Sequence, residues 1–136
     1  MVKEIHIIND IHQLLRVNEE LIRLAEQSEL SGKMCMNLKL ALEEALTNVI
    51  LYAYPDEENK DITIQFEITA DLFKIIITDT GLPFDPTQQK RPDLTLPIHK
   101  RPVGGLGIHL IREIMTDVHY IRNGNKNVLT MQKSIH

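Results

Sequence analysis

The stretch DITIQFEITADLFKIIITD, residues 61–79, decides the fold. Ile62, Ile64, Phe66 and Ile68 alternate with Thr63, Gln65, Glu67 and Thr69, the period of a strand with one wet face. Ala70 and Asp71 read as a short hairpin connection into a second strand, Leu72 to Thr78. There Phe73, Ile75 and Ile77 form the apolar side, and Lys74 and Thr78 mark the other. A strand pair that is apolar on one face needs a second layer to cover it.

The chain on either side supplies that layer. VKEIHII, residues 2–8, is short and β-branched and reads as a strand. From Asp10, a candidate N-cap, Ile11, Leu14, Leu15, Asn18, Leu21, Ile22 and Ala25 recur at helical steps to about Ser28. Ser31-Gly32 breaks that helix. A second runs from about Lys33 to Ala53 and stops before Pro55, with Cys35, Leu38, Leu42, Ala45, Val49 and Tyr52 as its apolar stripe. On the other side, residues 80–103 hold five prolines and no sustained period; so long an irregular segment in a compact domain is usually functional or disordered. Helical period returns with Ile108, Leu110, Ile111, Ile114 and Met115. Strands at roughly 117–122 and 126–133 then flank the hairpin signal Asn123-Gly124. The order β-α-α-β-β-loop-α-β-β predicts an α+β fold, one mostly antiparallel sheet with its helices on one face.

The length of 136 residues suits a single domain, 1–136, with a core that needs no staple. A net charge of −4 and a pI near 5.8 argue against a general nucleic-acid binder. The longest apolar run, Val49 to Tyr54, is far too short for a membrane span. Lys3 and Glu4 sit where a secretory signal would be apolar, and the single Cys35 excludes an internal disulfide. The expectation is a cytoplasmic protein. Cys35, Met34, Met36, Met115 and Met131 read as core filler.

Three places break the pattern. Glu44 and Asn48 lie four residues apart on the second helix, roughly 40° from each other around the axis, at the border of the apolar stripe. They suit either a cleft or an ordinary polar edge. Asp79 shares the parity of Phe73, Ile75 and Ile77, so it points inward and needs a partner there. Gly81, two residues on, permits a close backbone approach or a positive φ. The plain alternative is a turn aspartate at a strand end. The third is Gly104-Gly105-Leu106-Gly107 before a helix, where free N–H groups and the helix dipole favour anions. It is neither a Walker A loop nor a dinucleotide fingerprint. Residues 87–103 carry Lys90, Arg91, Lys100 and Arg101 against Asp93 alone, which suits anion steering or a solvated loop.

In this order and spacing, the motifs resemble the histidine-kinase-like ATPases, the GHKL superfamily with the Bergerat nucleotide-binding fold. Within it they are most similar to the anti-sigma factor serine kinases. LALEEALTNVILYAYP (40–55) matches the family's N box, DTGLPFDP (79–86) its first glycine box, GGLGIHLI (104–111) its second and NVLTMQK (127–133) its closing strand. The resemblance implies a two-layer α/β sandwich with a mostly antiparallel mixed sheet. It also implies ATP and Mg²⁺ as cofactors, with a nucleotide lid at about 82–103. Asn48 would ligate Mg²⁺, Glu44 would be the general base, and Asp79 would accept from the adenine amino group. Gly81 would let the base lie close to backbone. Gly104, Gly105, Leu106 and Gly107 would line the phosphates, and Thr130 would sit near the adenine and Asp79. The implied activity is that of a protein-serine kinase that sequesters a sigma factor and phosphorylates a small antagonist. A homodimer is implied as well. The stretch KRPVGG (100–105) departs from the family pattern: Arg101 is displaced by about two residues, and Val103 stands where a cation near the γ-phosphate belongs. A nucleotide-gated protein-binding module without catalysis is the alternative.

Overall fold

The computed structural model describes residues 1–83, 85 and 105–135. Strand β1 (Val2–Ile8) leads into a 3₁₀ turn (Ile11–Gln13) and helix α1 (Leu14–Gln27). Helix α2 (Gly32–Asn48) passes directly into a π-helical segment (Val49–Ala53). Strands β2 (Asp61–Ile68) and β3 (Leu72–Asp79) follow, then α3 (Gly105–Ile114), β4 (Asp117–Asn123) and β5 (Lys126–Ser134). The five strands form one sheet in the order β1-β2-β3-β5-β4, and all four pairings are antiparallel.

Local chemistry explains the boundaries. Asp10 caps the 3₁₀ turn by accepting from the His12 backbone N–H at 2.9 Å. That bond, and secondarily the His12 ring, holds the Asp10 carboxyl below its ordinary pKa. Ser31 caps α2 by accepting from the Met34 N–H at 3.1 Å. Gly124 turns the β4–β5 hairpin at φ 62°, where other residues are strained.

The alternation read from 61–79 is the packing pattern. Ile62, Ile64, Phe66, Phe73, Ile75 and Ile77 are buried on the inner face, with Phe66 and Phe73 edge-to-face at 6.2 Å. Register carries this row across the sheet, with Ile75 opposite Met131, Ile77 opposite Leu129 and Asp79 opposite Asn127. Leu38, Leu42 and Leu46 of α2 and Leu21 and Leu24 of α1 close the core.

The helices differ from expectation in phase. On α1 the buried positions are Val17, Asn18, Leu21, Leu24 and Ala25, while Ile11 and Leu15 are exposed. The neighbouring stripe shares Asn18, Leu21 and Ala25, so period alone does not separate the two. On α2, Cys35 and Val49 are half-buried and Tyr52 is exposed; Ala41, Leu46, Ile50 and Ala53 take core positions instead. The π-helical segment is the reason, because its wider turn rotates the residues after Asn48 out of the α-helical phase. Met36 is also exposed, whereas Met115 and Met131 are core residues.

Candidate functional site

At one end of the inner face the apolar row ends in two buried polar residues, Asp79 and Asn127. Above them the π-helical segment and α3 leave a cleft that opens to solvent. Its walls are apolar, from Ala45, Val49, Tyr52, Leu82, Ile108 and Leu129. Asn48 stands on the α2 side, and Asp79, Asn127 and Tyr120 form the polar floor. Two of the three residues that left the core stripe, Val49 and Tyr52, are cleft walls.

Asp79 is 5% exposed, in keeping with its parity. Its Oδ1 accepts from the Gly81 N–H at 2.8 Å and from Asn127 Nδ2 at 2.9 Å. Among the described residues no group donates to Oδ2, so the carboxylate keeps an acceptor for a ligand. Of the two readings of Gly81, a close backbone approach is the one the structure shows. A Cβ there would come within 2.3 Å of the Ala53 carbonyl oxygen, so the crowding neighbour is the end of the π-helical segment. The adjoining Leu82 N–H donates to the same carbonyl at 2.8 Å. Tyr54, also buried, holds this corner from below: its hydroxyl accepts from the Thr80 N–H at 2.7 Å and donates to the Asp61 carbonyl at 3.1 Å.

Glu44 and Asn48 are both half-buried, and among the described residues neither side chain has a hydrogen-bond or ionic partner. Asn48 lines the cleft; Glu44, one turn earlier, does not. The adjacent Glu43 is otherwise engaged, accepting from Asn18 Nδ2 at 2.9 Å and lying 3.8 Å from Lys39 Nζ. The tie to α1 separates the two glutamates: Glu43 joins helices, and Glu44 does not.

Thr130 requires correction. It pairs with Ile76 and His119 and alternates with Leu129 and Met131, so it lies on the opposite face of the sheet from Asp79. The residue beside Asp79 is Asn127, three positions earlier and of the inward parity. Sequence reasoning passed over Asn127, although a signal was present: it is the polar member of the alternating set Asn127, Leu129 and Met131. Gly105, Leu106 and Gly107 form the first turn of α3 itself, so the helix begins within the glycine run. Gly104, Arg101, Val103 and nearly all of the expected lid lie outside the described residues. His109 makes a 3.6 Å contact with Glu113 on its own helix.

With this geometry in view, comparison with known proteins is informative. The family model described as the histidine kinase-like ATPase domain matches residues 8–133. Serine-protein kinase RsbW of Bacillus cereus is 33% identical over 97 residues, which cover 68% of this chain and 60% of that protein. Serine-protein kinase RsbW of Listeria monocytogenes is 31% identical over 112 residues, covering 79% and 71%. The chain thus spans about three fifths of the length of the Bacillus relative. A solved structure of RsbU and RsbW domains from Mycobacterium tuberculosis superposes with a TM-score of 0.67 at 10% identity, over 96% of this chain and 32% of that one. The Acinetobacter baumannii histidine kinase AdeS gives 0.52 at 15% identity, over 97% and 68%. At these identities the two structures speak to the fold.

Proposed function

The chain belongs to the histidine kinase-like ATPase family, and from that premise we propose that it binds ATP with Mg²⁺ and transfers the γ-phosphoryl group to a protein serine. The further reading is that it is an anti-sigma factor whose phosphoacceptor is a small antagonist protein, working as a homodimer in the cytoplasm. Its domain is 1–136, with a lid at about 82–103. Support for the kinase reading comes from the RsbW relatives and from the motifs that resemble the anti-sigma factor kinases.

The observation that carries the nucleotide reading is the buried Asp79 carboxylate at the floor of an apolar cleft, its Oδ2 without a donor among the described residues. An aromatic base fits between Val49, Tyr52 and Ile108, and its exocyclic amino group donates to Oδ2. Asn48 would hold Mg²⁺: its amide oxygen is a hard ligand with no partner among the described residues, and phosphates and water would supply the rest of the shell. Bound there, Mg²⁺ would neutralise charge on the triphosphate. The N–H groups of Gly105, Leu106 and Gly107 in the first turn of α3 donate to phosphate oxygens, and Gly104 precedes them in the sequence motif. Glu44 takes the proton of the serine hydroxyl. The serine oxygen bonds to the γ-phosphorus, the bond to the β–γ bridging oxygen breaks, and ADP leaves.

The test is mass-spectrometric phosphotransfer to a candidate antagonist, beside calorimetric titration with Mg-ATP. Glu44→Ala is expected to keep ATP affinity and lose about 10²- to 10⁴-fold in rate, the usual worth of a general base. Asp79→Asn is expected to weaken nucleotide binding. Wild type that binds ATP but is as inactive as Glu44→Ala overturns the kinase reading and leaves a nucleotide-gated binding module. Binding indifferent to Asp79→Asn overturns the pocket.

A further inference from the structure

The floor of the cleft is organised by a residue with nothing left to offer a ligand. Asn127 Oδ1 accepts from the Tyr120 hydroxyl and, at 3.0 Å, from Arg122 Nη1. Its Nδ2 donates to Asp79 Oδ1 at 2.9 Å and to the Leu82 carbonyl at 2.9 Å, with the Gly81 carbonyl farther off at 3.4 Å. Two lone pairs and two N–H bonds are thereby spent. Donors on one side and acceptors on the other allow one orientation of the amide. Turned over, its oxygen would face the Asp79 carboxylate, and its NH₂ would face two donors. Arg122 fastens the same corner a second time, donating from Nη1 to the Gly81 carbonyl at 2.8 Å and from Nε to the Gly124 carbonyl at 3.2 Å.

The consequence falls on Asp79. Both of its hydrogen bonds arrive at Oδ1, so Oδ2 is what the pair presents to the cleft, an acceptor with no donor beside it from Asn127. Resting on the nucleotide reading above, we propose that Tyr120 and Arg122 are positioning residues. Through Asn127 they hold the Asp79 carboxylate in place as the acceptor at the floor, and so select a base bearing an exocyclic amino group over one bearing a carbonyl at that place. A carbonyl there meets Oδ2 acceptor to acceptor, the kind of buried mismatch that polar sites discriminate most strongly. Without a donor at its Oδ1 the Asn127 amide is held from one side only, Asp79 is aimed less firmly, and the advantage of the amino-bearing base shrinks.

Arg122 is exposed, and Tyr120→Phe keeps the ring that packs against the core, so the substitutions test the hydrogen bonds. The experiment is calorimetric titration with Mg-ATP and Mg-ITP, which differ in amino against oxo at the base. It compares wild type with Tyr120→Phe, Arg122→Met and Arg122→Lys, each with its urea midpoint measured. Wild type is expected to prefer ATP. Tyr120→Phe and Arg122→Met each narrow the ATP-to-ITP ratio about tenfold, the scale of one lost hydrogen bond, and Arg122→Lys restores part of it. A merely structural role lowers both affinities together and leaves the ratio unchanged, and that result overturns the proposal. Equal binding of both nucleotides by wild type overturns the selection while leaving nucleotide binding in place. No binding of ATP by wild type overturns the nucleotide reading itself. Should Arg122→Met not fold, the ratio in Tyr120→Phe decides.

Discussion

At the scale of single residues, Gly81 and Asn127 show how the corner of the cleft is built. Gly81 is small because the Ala53 carbonyl and Cβ lie where its own Cβ would be, at 2.3 and 2.6 Å. Backbone is the obstacle, so no rotamer change relieves it. Gly81→Ala should cost about 1–3 kcal/mol, in the range of an overpacked core, read as a lower urea midpoint at unchanged m. It should also displace Leu82 from Ala53 and weaken ligand binding. The inward direction of Asp79 is legible in the chain itself, because strand parity is a local property and the run from Phe73 to Asp79 is unbroken. Its partner is not. Finding Asn127 needs the register between β3 and β5, which are joined through α3 and the other edge strand. The motif draws attention to Thr130, and the pleat turns Thr130 to the other face.

Among the elements, the π-helical segment after α2 has the greatest effect on the site. A wider turn beginning at Val49 sends Ile50 and Ala53 inward and leaves Val49 and Tyr52 to line the cleft. Such insertions are frequent at functional sites. Adjacent residues therefore answer to different selection. Ile50→Ala, at a position 6% exposed, should cost about 2–5 kcal/mol of stability, measured by urea unfolding, with little change in intrinsic nucleotide affinity. Tyr52→Ala, at a position 51% exposed, should leave the urea midpoint in place and lower nucleotide affinity about tenfold by calorimetry, as expected for loss of one aromatic wall. If both substitutions act on stability alone, Tyr52 is not a cleft wall. A continuous α-helical period from Lys33 to Ala53 is a fair reading of the residues, yet it cannot reveal the change of phase. Neither proline nor glycine marks the spot.

Across the whole molecule, the cleft sits where the helical layer and the sheet layer meet at one end. Its floor comes from β3 and β5 and its walls from α2, the π-helical segment and α3. A ligand held there touches both layers and binds the native state alone. ATP at a hundredfold excess over its Kd should then add about 2.7 kcal/mol of stability, roughly a 10 °C rise in Tm for a domain of this size. Differential scanning calorimetry with and without Mg-ATP measures it. Asp79→Asn should show little of that rise, compared with its own ligand-free Tm. No helix among the described residues is long and apolar enough to cross a membrane.

The division between sequence and tertiary structure follows from the range of the forces involved. Sequence by itself determined the element types, their order, the inward direction of Asp79 and the family, because pleat, helical period and contiguous motifs are local. It also placed Glu44 and Asn48 on one helix face, and that spacing favours Glu44 over the adjacent Glu43. Tertiary structure brought Asn18 of α1 onto Glu43. It put Ala53 against Gly81, turned Tyr52 into a wall, and gave Asp79 the partner Asn127 with its amide held by Tyr120 and Arg122. These are contacts between residues far apart in the chain. They are settled by how two layers pack and in which register strands pair, and no local period encodes that.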